Sequence, residues 1–211
     1  MRGFKHVKAE FADAFEAGES IRVGTFEYYR SQEGERADPL EGLAVSAPGP
    51  FVANFGPPSS IPVEQMRAIH SMGISTEGYL NNVLFVGNFA VREVPAAYLF
   101  CCSAEPDQSC VEQGQVVFEI TGLKSFARAL SDAHRGLLAA PIVGRVLYEE
   151  RYVDTLRTEA PRVDPFRKSA ACAQEKEIRI LWQPAQLGNE LSPFQDLRCP
   201  AAAQLIRRVS N

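Results

Sequence analysis

The order of strand-like and helix-like segments predicts an α+β chain, a single domain over residues 1–211 with a mixed, largely antiparallel sheet and three to four helices. Two observations carry that prediction. Strand patterns follow one another without the regular βαβ alternation that builds a parallel sheet, and this order also allows a sheet split in two. Helical spacing recurs in only a few stretches, separated by turn residues.

In chain order, Phe4–Val7 is the first strand. Residues 9–17 follow as a helix, with Phe11, Ala14 and Phe15 at helical spacing and Gly18 as its C-terminal stop. Residues 20–23 alternate polar and apolar as a strand does, and Phe26–Tyr29 reads as a strand or a tight continuation of it. Residues 30–41 are polar, contain Gly34 and Pro39, and read as a loop. A short strand is placed at residues 51–55, and a helix at residues 62–72 with proline in its first turn. Residues 82–94 read as a hairpin or a bulged strand broken at Gly87-Asn88. Tyr98–Cys102 is a buried strand, Val116–Ile120 another, and residues 122–138 form a helix with Phe126, Ala129, Leu130 and Ala133 on one side. Strands follow at residues 142–148, 177–182 and within 204–209. In the second of these, Ile178, Ile180 and Trp182 point one way.

A chain of 211 residues with 45% hydrophobic and 23% charged residues has an ordinary globular composition. It can bury roughly 70% of its unfolded surface without a metal or disulfide staple. Net charge is −4 and the pI about 5.5, so no long duplex nucleic acid is implied as a partner. The first residues contain no apolar core of the kind a signal peptide needs, and no run approaches the ~18 apolar residues of a membrane span. Cys101, Cys102, Cys110, Cys172 and Cys199 are odd in number and lack metal-ligand spacing. They read as reduced thiols of a cytoplasmic protein, with the Cys101-Cys102 pair buried and structural. The common phosphate and dinucleotide loops are absent, as is a nucleophile elbow.

Chemistry concentrates in two segments. The first runs from Gly24 through Tyr28, Tyr29 and Arg30 to Arg36, Asp38 and Glu41. An arginine here can grip a phosphate or carboxylate with two parallel bonds, while Asp38 and Glu41 orient it or bind a ribose hydroxyl. Tyr28 or Tyr29 can stack on a base. The same residues can equally build an internally salt-bridged loop. The second segment carries Lys168, then Glu175, Glu177 and Arg179. Strand alternation puts the last three on one face. Two such carboxylates can divide roles, one orienting a hydroxyl and one stabilising developing positive charge. A solvated face with an ion pair is the bland alternative. His6 lies on the first strand and can donate to a ligand, whereas His70 and His134 fall on helices and read as surface residues.

Together the segments resemble an uncharacterised bacterial domain family. The resemblance rests on Gly24-Thr25-Phe26-Glu27-Tyr28-Tyr29-Arg30, Arg36-x-Asp38-x-x-Glu41-Gly42, Cys101-Cys102-Ser103, Lys168 and Glu175-x-Glu177-x-Arg179, and it spans residues 3–183. The layout is distantly similar to ADP-ribosyltransferase-like folds. That likeness implies an NAD-consuming transferase or glycohydrolase, as found among bacterial toxins and phage-defence effectors. It implies NAD as substrate, no metal, and an unknown acceptor as partner. His6 would contact the NAD ribose or phosphate, and Tyr28 or Tyr29 would stack on nicotinamide. Glu177 would stabilise the oxocarbenium-like state, and Glu175 would orient or deprotonate the acceptor. The chain departs from that pattern in having no Ser-Thr-Ser triplet on its second strand. Two other readings stand beside it. One is a non-catalytic ligand-binding or protein-interaction domain. The other is a metal-dependent phosphodiester enzyme with Asp38, Glu41, Glu175 and Glu177 holding Mg²⁺ or Mn²⁺.

Overall fold

The computed structural model describes residues 1–31, 38, 40–53, 62–74, 83–85, 90–107, 114–149, 152–153, 156, 163–186 and 190–209. The chain groups into two compact units. The first comprises Met1–Glu41, Pro95–Tyr148 and Ala171–Asn211, and the second Gly42–Val94 and Glu149–Ala170. The chain is α+β.

In the first unit the strands are β1 (Gly3–Lys8), β2 (Ile21–Thr25), β7 (Tyr98–Ser103), β8 (Gln115–Ile120), β9 (Leu138–Arg145), β13 (Glu177–Pro184), β14 (Phe194–Leu197) and β15 (Ile206–Arg208). They form one sheet in which every described pair is antiparallel. Its centre is β7. β13 pairs with β7 along its whole length, from Glu177 opposite Ser103 to Trp182 opposite Tyr98. The other edge of β7 is therefore shared. β2 pairs there at Tyr98 and Leu99, and β1 at Ser103. The sheet divides at this edge, and Cys101 lies between the two pairings.

One face of the sheet holds the hydrophobic core. Ile21, Val23, Tyr98, Phe100, Phe118, Ile120, Ile178, Ile180 and Trp182 pack there with α1 (Ala12–Glu16), α4 (Leu123–Ala133) and α5 (Pro200–Ala203). Period-2 alternation selects these residues from each strand, and burying each large side chain contributes about 1.5–3 kcal/mol. Helix α4 buries Leu123, Phe126, Ala127 and Leu130, the i, i+3, i+4, i+7 set. The stripe is thus turned from the expected one, with Ala133 exposed, because the helix stops at Ala133 and Leu138 already begins β9. Gly18 ends α1 with φ +68°, a conformation that favours glycine, and its carbonyl accepts the Cys199 N–H at 2.7 Å. A 3-10 turn over Ala9–Phe11 precedes α1, and Phe11 is exposed instead of sharing the buried side with Phe15.

Residues 26–31 form a helix, α2 (Phe26–Ser31), although Phe26–Tyr29 reads in sequence as a strand or a tight continuation of one and residues 30–41 as a loop. Thr25 Oγ1 accepts the Tyr28 N–H at 3.1 Å, so the threonine caps the helix and overrides the β-preference of the aromatic run. β14 was not anticipated at all.

The second unit contains β3 (Leu43–Ser46), β4 (Phe51–Ala53), α3 (Val63–Ser71), β5 (Val83–Phe85), β6 (Ala90–Glu93), β11 (Tyr152–Val153) and β12 (Arg167–Ser169). β10 (Leu147–Glu149) straddles the boundary. β5 and β6 do not form the expected hairpin: β5 pairs with β4, and β6 pairs with β3. β3 also pairs in parallel with β11. A small cluster of Phe51, Ala68, Ile69 and Phe85 forms the core of this unit, with the two phenyl rings stacked at 4.8 Å. Among the described residues, no helix is long and apolar enough to cross a membrane.

Candidate functional site

The residues of interest lie on the face of the sheet opposite the core. In β13 the same alternation that buries Ile178, Ile180 and Trp182 turns Glu177 and Arg179 the other way. Arg179 sits opposite Cys101 and Glu177 opposite Ser103. Further along β7, Leu99 pairs with Gly24 of β2, and Gly24 in turn pairs with Phe194 of β14. These residues occupy one continuous side of the sheet.

Gly24 explains how two tyrosines reach this side. A Cβ at this position would lie 2.5 Å from Cδ1 of Tyr28 and 3.2 Å from Cε2 of Tyr29. Only glycine lets α2 lay both rings onto the strand it has just left. The rings meet edge to face at 5.5 Å, and Tyr28 also packs on Phe194 at 5.3 Å. At the outer margin Arg22 makes two bonds to Asp196, of 2.8 and 2.7 Å, and lies 4.2 Å over the Phe194 ring.

Arg179 is the hub. It is about 1% exposed, its Nε donates to Glu177 Oε1 at 2.6 Å, and its Nη2 donates to Glu41 Oε1 at 2.7 Å. Glu177 and Glu41 are themselves buried. Burial alone lowers the affinity of the guanidinium for its proton, but Glu177 and then Glu41 outweigh burial and raise it above the usual arginine range. Removing a charge of this kind from water costs several kcal/mol, which bonds to two carboxylates offset. The Glu177 backbone is anchored as well: its N–H donates to Tyr148 Oη at 2.6 Å, and its carbonyl accepts the Val146 N–H at 3.0 Å.

Glu41 is delivered by a shaped loop. Asp38 Oδ1 accepts the Leu40 N–H at 3.0 Å, and the Asp38 carbonyl accepts the Glu41 N–H at 2.9 Å. This is an Asx-type turn that needs no ligand. Arg30 Nη1 donates to the Glu41 carbonyl at 2.8 Å. Arg179 therefore ties the Tyr28–Glu41 segment to the Glu177 strand.

The other predicted residues are placed as follows. His6 is on β1, on the same side as Phe4, and its Nε2 accepts the Asp107 N–H at 3.0 Å. Glu175 closes a 3-10 turn over Ala170–Glu175 and is not part of the strand. Lys176, with φ 45°, separates that turn from β13, so strand alternation does not carry Glu175 to the Glu177 face. Lys168 is buried on β12 of the second unit. Arg36 lies outside the described residues. Among the described residues, no group of three or more histidine, cysteine, aspartate or glutamate side chains is placed to hold a metal ion.

Two residues escaped the sequence reading. Cys101 reads as structural in sequence, yet strand register sets it opposite Arg179 and diagonal to Glu177 on the polar side of the sheet. Burial first, then the charge of Glu177, pushes the thiol up, against the opposing pull of Arg179 and Lys5. Burial also pushes the Tyr29 phenol up, with Cys101 and Glu177 adding to it. Lys5 belongs to the core side of β1, but its Nζ reaches the divided edge of β7 and donates to the Cys101 carbonyl at 2.8 Å. The signal for Cys101 was present: it is two residues from Ser103 and so shares its face.

Comparison with family models, curated proteins and solved structures finds no match.

Proposed function

We propose that this chain is an NAD-consuming enzyme of the ADP-ribosyltransferase-like kind, acting as a transferase or a glycohydrolase. The observation that carries the reading is the Glu41–Arg179–Glu177 bridge. It joins the two polar segments on the side of the sheet away from the core. A buried carboxylate held in place this way can stabilise the positive charge that grows on the ribose as the C–N bond to nicotinamide breaks. The bonding pair leaves with nicotinamide, and water or an acceptor hydroxyl then adds to the ribose carbon and gives up its proton. In this scheme Glu177 faces the developing cation, and the Tyr28 and Tyr29 rings stack on nicotinamide. His6 contacts the ribose, whereas Glu175, off the strand, has no role in this scheme. The divided sheet, with His6 on one arm and the tyrosines following the other, agrees with this arrangement.

The test is nicotinamide release from NAD by the pure protein, with and without cell extract as acceptor. Glu177→Ala is expected to lower release by about 10²–10³-fold, the usual cost of removing a group that stabilises transition-state charge. No release under either condition, unchanged by Glu177→Ala, overturns the proposal.

A second reading has its own support. Glu177 is buried, and Arg179 approaches both its oxygens, at 2.6 and 3.4 Å. That is also the geometry of a structural ion pair in a non-catalytic binding domain. Loss of thermal stability in Glu177→Ala, with no nicotinamide release by the parent protein, favours this second reading.

A further inference from the structure

We infer that Tyr148 is a positioning residue for Glu177: its phenol oxygen stands in for a strand carbonyl at the Glu177 N–H and so fixes where the carboxylate leaves the sheet. The catalytic part of this inference rests on the reading of Glu177 proposed above. The backbone part does not.

The register of β13 against β9 reveals the substitution. Ile178 lies opposite Arg145, the last residue of β9, so one step further the ladder sets Glu177 opposite Val146. A hydrogen-bonded pair in an antiparallel ladder exchanges two bonds, each N–H going to the other residue's carbonyl. Here one of the two is replaced. The Val146 N–H donates to the Glu177 carbonyl at 3.0 Å, but the Glu177 N–H donates to Tyr148 Oη at 2.6 Å. The partner chain leaves the ladder at this point, since β9 ends at Arg145 and β10 begins at Leu147. Tyr148, two residues beyond Val146, returns a side-chain oxygen to the donor that the ladder no longer serves.

The anchor falls where the backbone needs one. Lys176, immediately before Glu177, takes φ 45°, a left-handed conformation that a residue with a side chain holds only when its surroundings impose it. The peptide group joining Lys176 to Glu177 is bonded at both ends. Its carbonyl accepts the Ala104 N–H at 2.8 Å on the β7 side, and its N–H meets Tyr148 on the β9 side. The orientation of that peptide sets the start of β13 and with it the root of the Glu177 side chain. The carboxylate then meets Arg179 Nε at 2.6 Å, a length that tolerates little movement of the root. Of the two bonds that hold the peptide, the one to Tyr148 is made by a side chain, so a single substitution removes it and leaves the strand pairing in place.

The experiment is amide hydrogen exchange resolved to single residues in the full chain, with nicotinamide release measured beside it. In Tyr148→Phe the Glu177 amide is expected to exchange about tenfold faster than in the parent, the effect of losing one hydrogen bond locally, while the mid-strand Ile180 amide is unchanged. The kcat for nicotinamide release is expected to fall about tenfold with KM unchanged, because a displaced carboxylate loses transition-state stabilisation and not substrate binding. An unchanged Glu177 amide, or equal acceleration at Ile180, overturns the inference. A loss confined to KM overturns the positioning role. Should Tyr148→Phe fail to fold, 3-fluorotyrosine placed at position 148 decides. The fluorine weakens the phenol oxygen as an acceptor and keeps the ring, so Glu177 exchange is expected to rise at least about twofold, and an unchanged rate overturns the inference. If the parent protein releases no nicotinamide but the Glu177 amide alone accelerates, the NAD reading fails while the backbone anchor stands.

Discussion

The two sides of β13 differ in how they are held together. Toward the core, Ile178, Ile180 and Trp182 are almost wholly buried among many apolar neighbours, and their contribution is spread over the cluster. On the other side, Glu177 and Arg179 are buried to a similar degree, but their stability depends on a few directed bonds. A hydrophobic side fails in proportion to the volume removed, whereas a buried ionic side fails when a charge loses its partner.

That difference can be broken most forcefully at Arg179. Arg179→Ala is expected to destabilise by about 3–5 kcal/mol, because two buried carboxylates lose their counter-charge. Trp182→Ala is expected to cost about the same, 3–5 kcal/mol, through the cavity it leaves. The two losses should part company on rescue. Combining Arg179→Met with Glu41→Gln and Glu177→Gln removes the charges that need partners, and should recover a large part of the lost stability. No polar substitution refills the space of Trp182. Urea midpoints at constant m-value measure both. Failure of the triple variant to regain stability would show that the polar side is held by shape and not by charge balance.

A smaller effect separates the two sides by pH. Cys101 and Tyr29 on the polar side are pushed above the ordinary values of 9.0 and 10.0, burial being the first cause in each case. Below pH 9 both groups are protonated in folded and unfolded chains alike, and they add no slope. As pH rises past 9 the unfolded thiol loses its proton before the folded one, so the folded state binds more protons and stability falls. Tyr29 adds a further fall above pH 10. The core side contributes to this descent through Cys102, which burial pushes up to about 12. Melting curves from pH 7 to 11 should therefore slope downward above pH 9, less steeply in Cys101→Ser. The Tyr29→Phe variant should lose the part that begins near pH 10. Equal slopes in parent and variants would remove Cys101 and Tyr29 as the titrating groups.

The legible parts of the fold are those in which local pattern and tertiary demand agree. β13 was readable because Ile178, Ile180 and Trp182 recur at every second position and all three pack into the core. The same period placed Glu177 and Arg179 together, and the bridge from Arg179 to Glu41 brought in the second polar segment. Where single residues decide, the pattern misleads. Thr25 turns an aromatic run into α2 through one cap bond. Lys176 takes a positive φ and removes Glu175 from the strand. The pairing of β5 with β4 depends on contacts between segments about thirty residues apart, which no local pattern encodes. β14 was missed because Phe194–Leu197 is short and mostly not buried, and it is a strand only because β2 offers it an edge. Cys101 was misread because its neighbours in sequence are apolar, whereas its neighbours in space include Glu177 and Arg179.

An exposed arginine on the same side of the sheet makes bonds of similar length at far lower burial. Arg22 grips Asp196 with two bonds of 2.8 and 2.7 Å, lengths close to those Arg179 makes with Glu177 and Glu41. The Arg22 and Asp196 side chains are 44% and 38% exposed, against 1% for Arg179. Water solvates both partners of the exposed pair when it breaks, so little is lost. A double-mutant cycle with Arg22→Ala and Asp196→Ala should give a coupling of about 0.2–1 kcal/mol. The cycle is needed because Arg22 also covers the Phe194 ring, and that contact disappears in the single arginine variant but cancels in the coupling. The coupling should shrink further in 1 M salt, where the screening length falls to about 3 Å. The Arg179 network, shielded from ions by its burial, should be unmoved by the same salt. A coupling at Arg22–Asp196 as large as the loss in Arg179→Ala would mean that bond geometry, and not burial, sets what these arginines contribute.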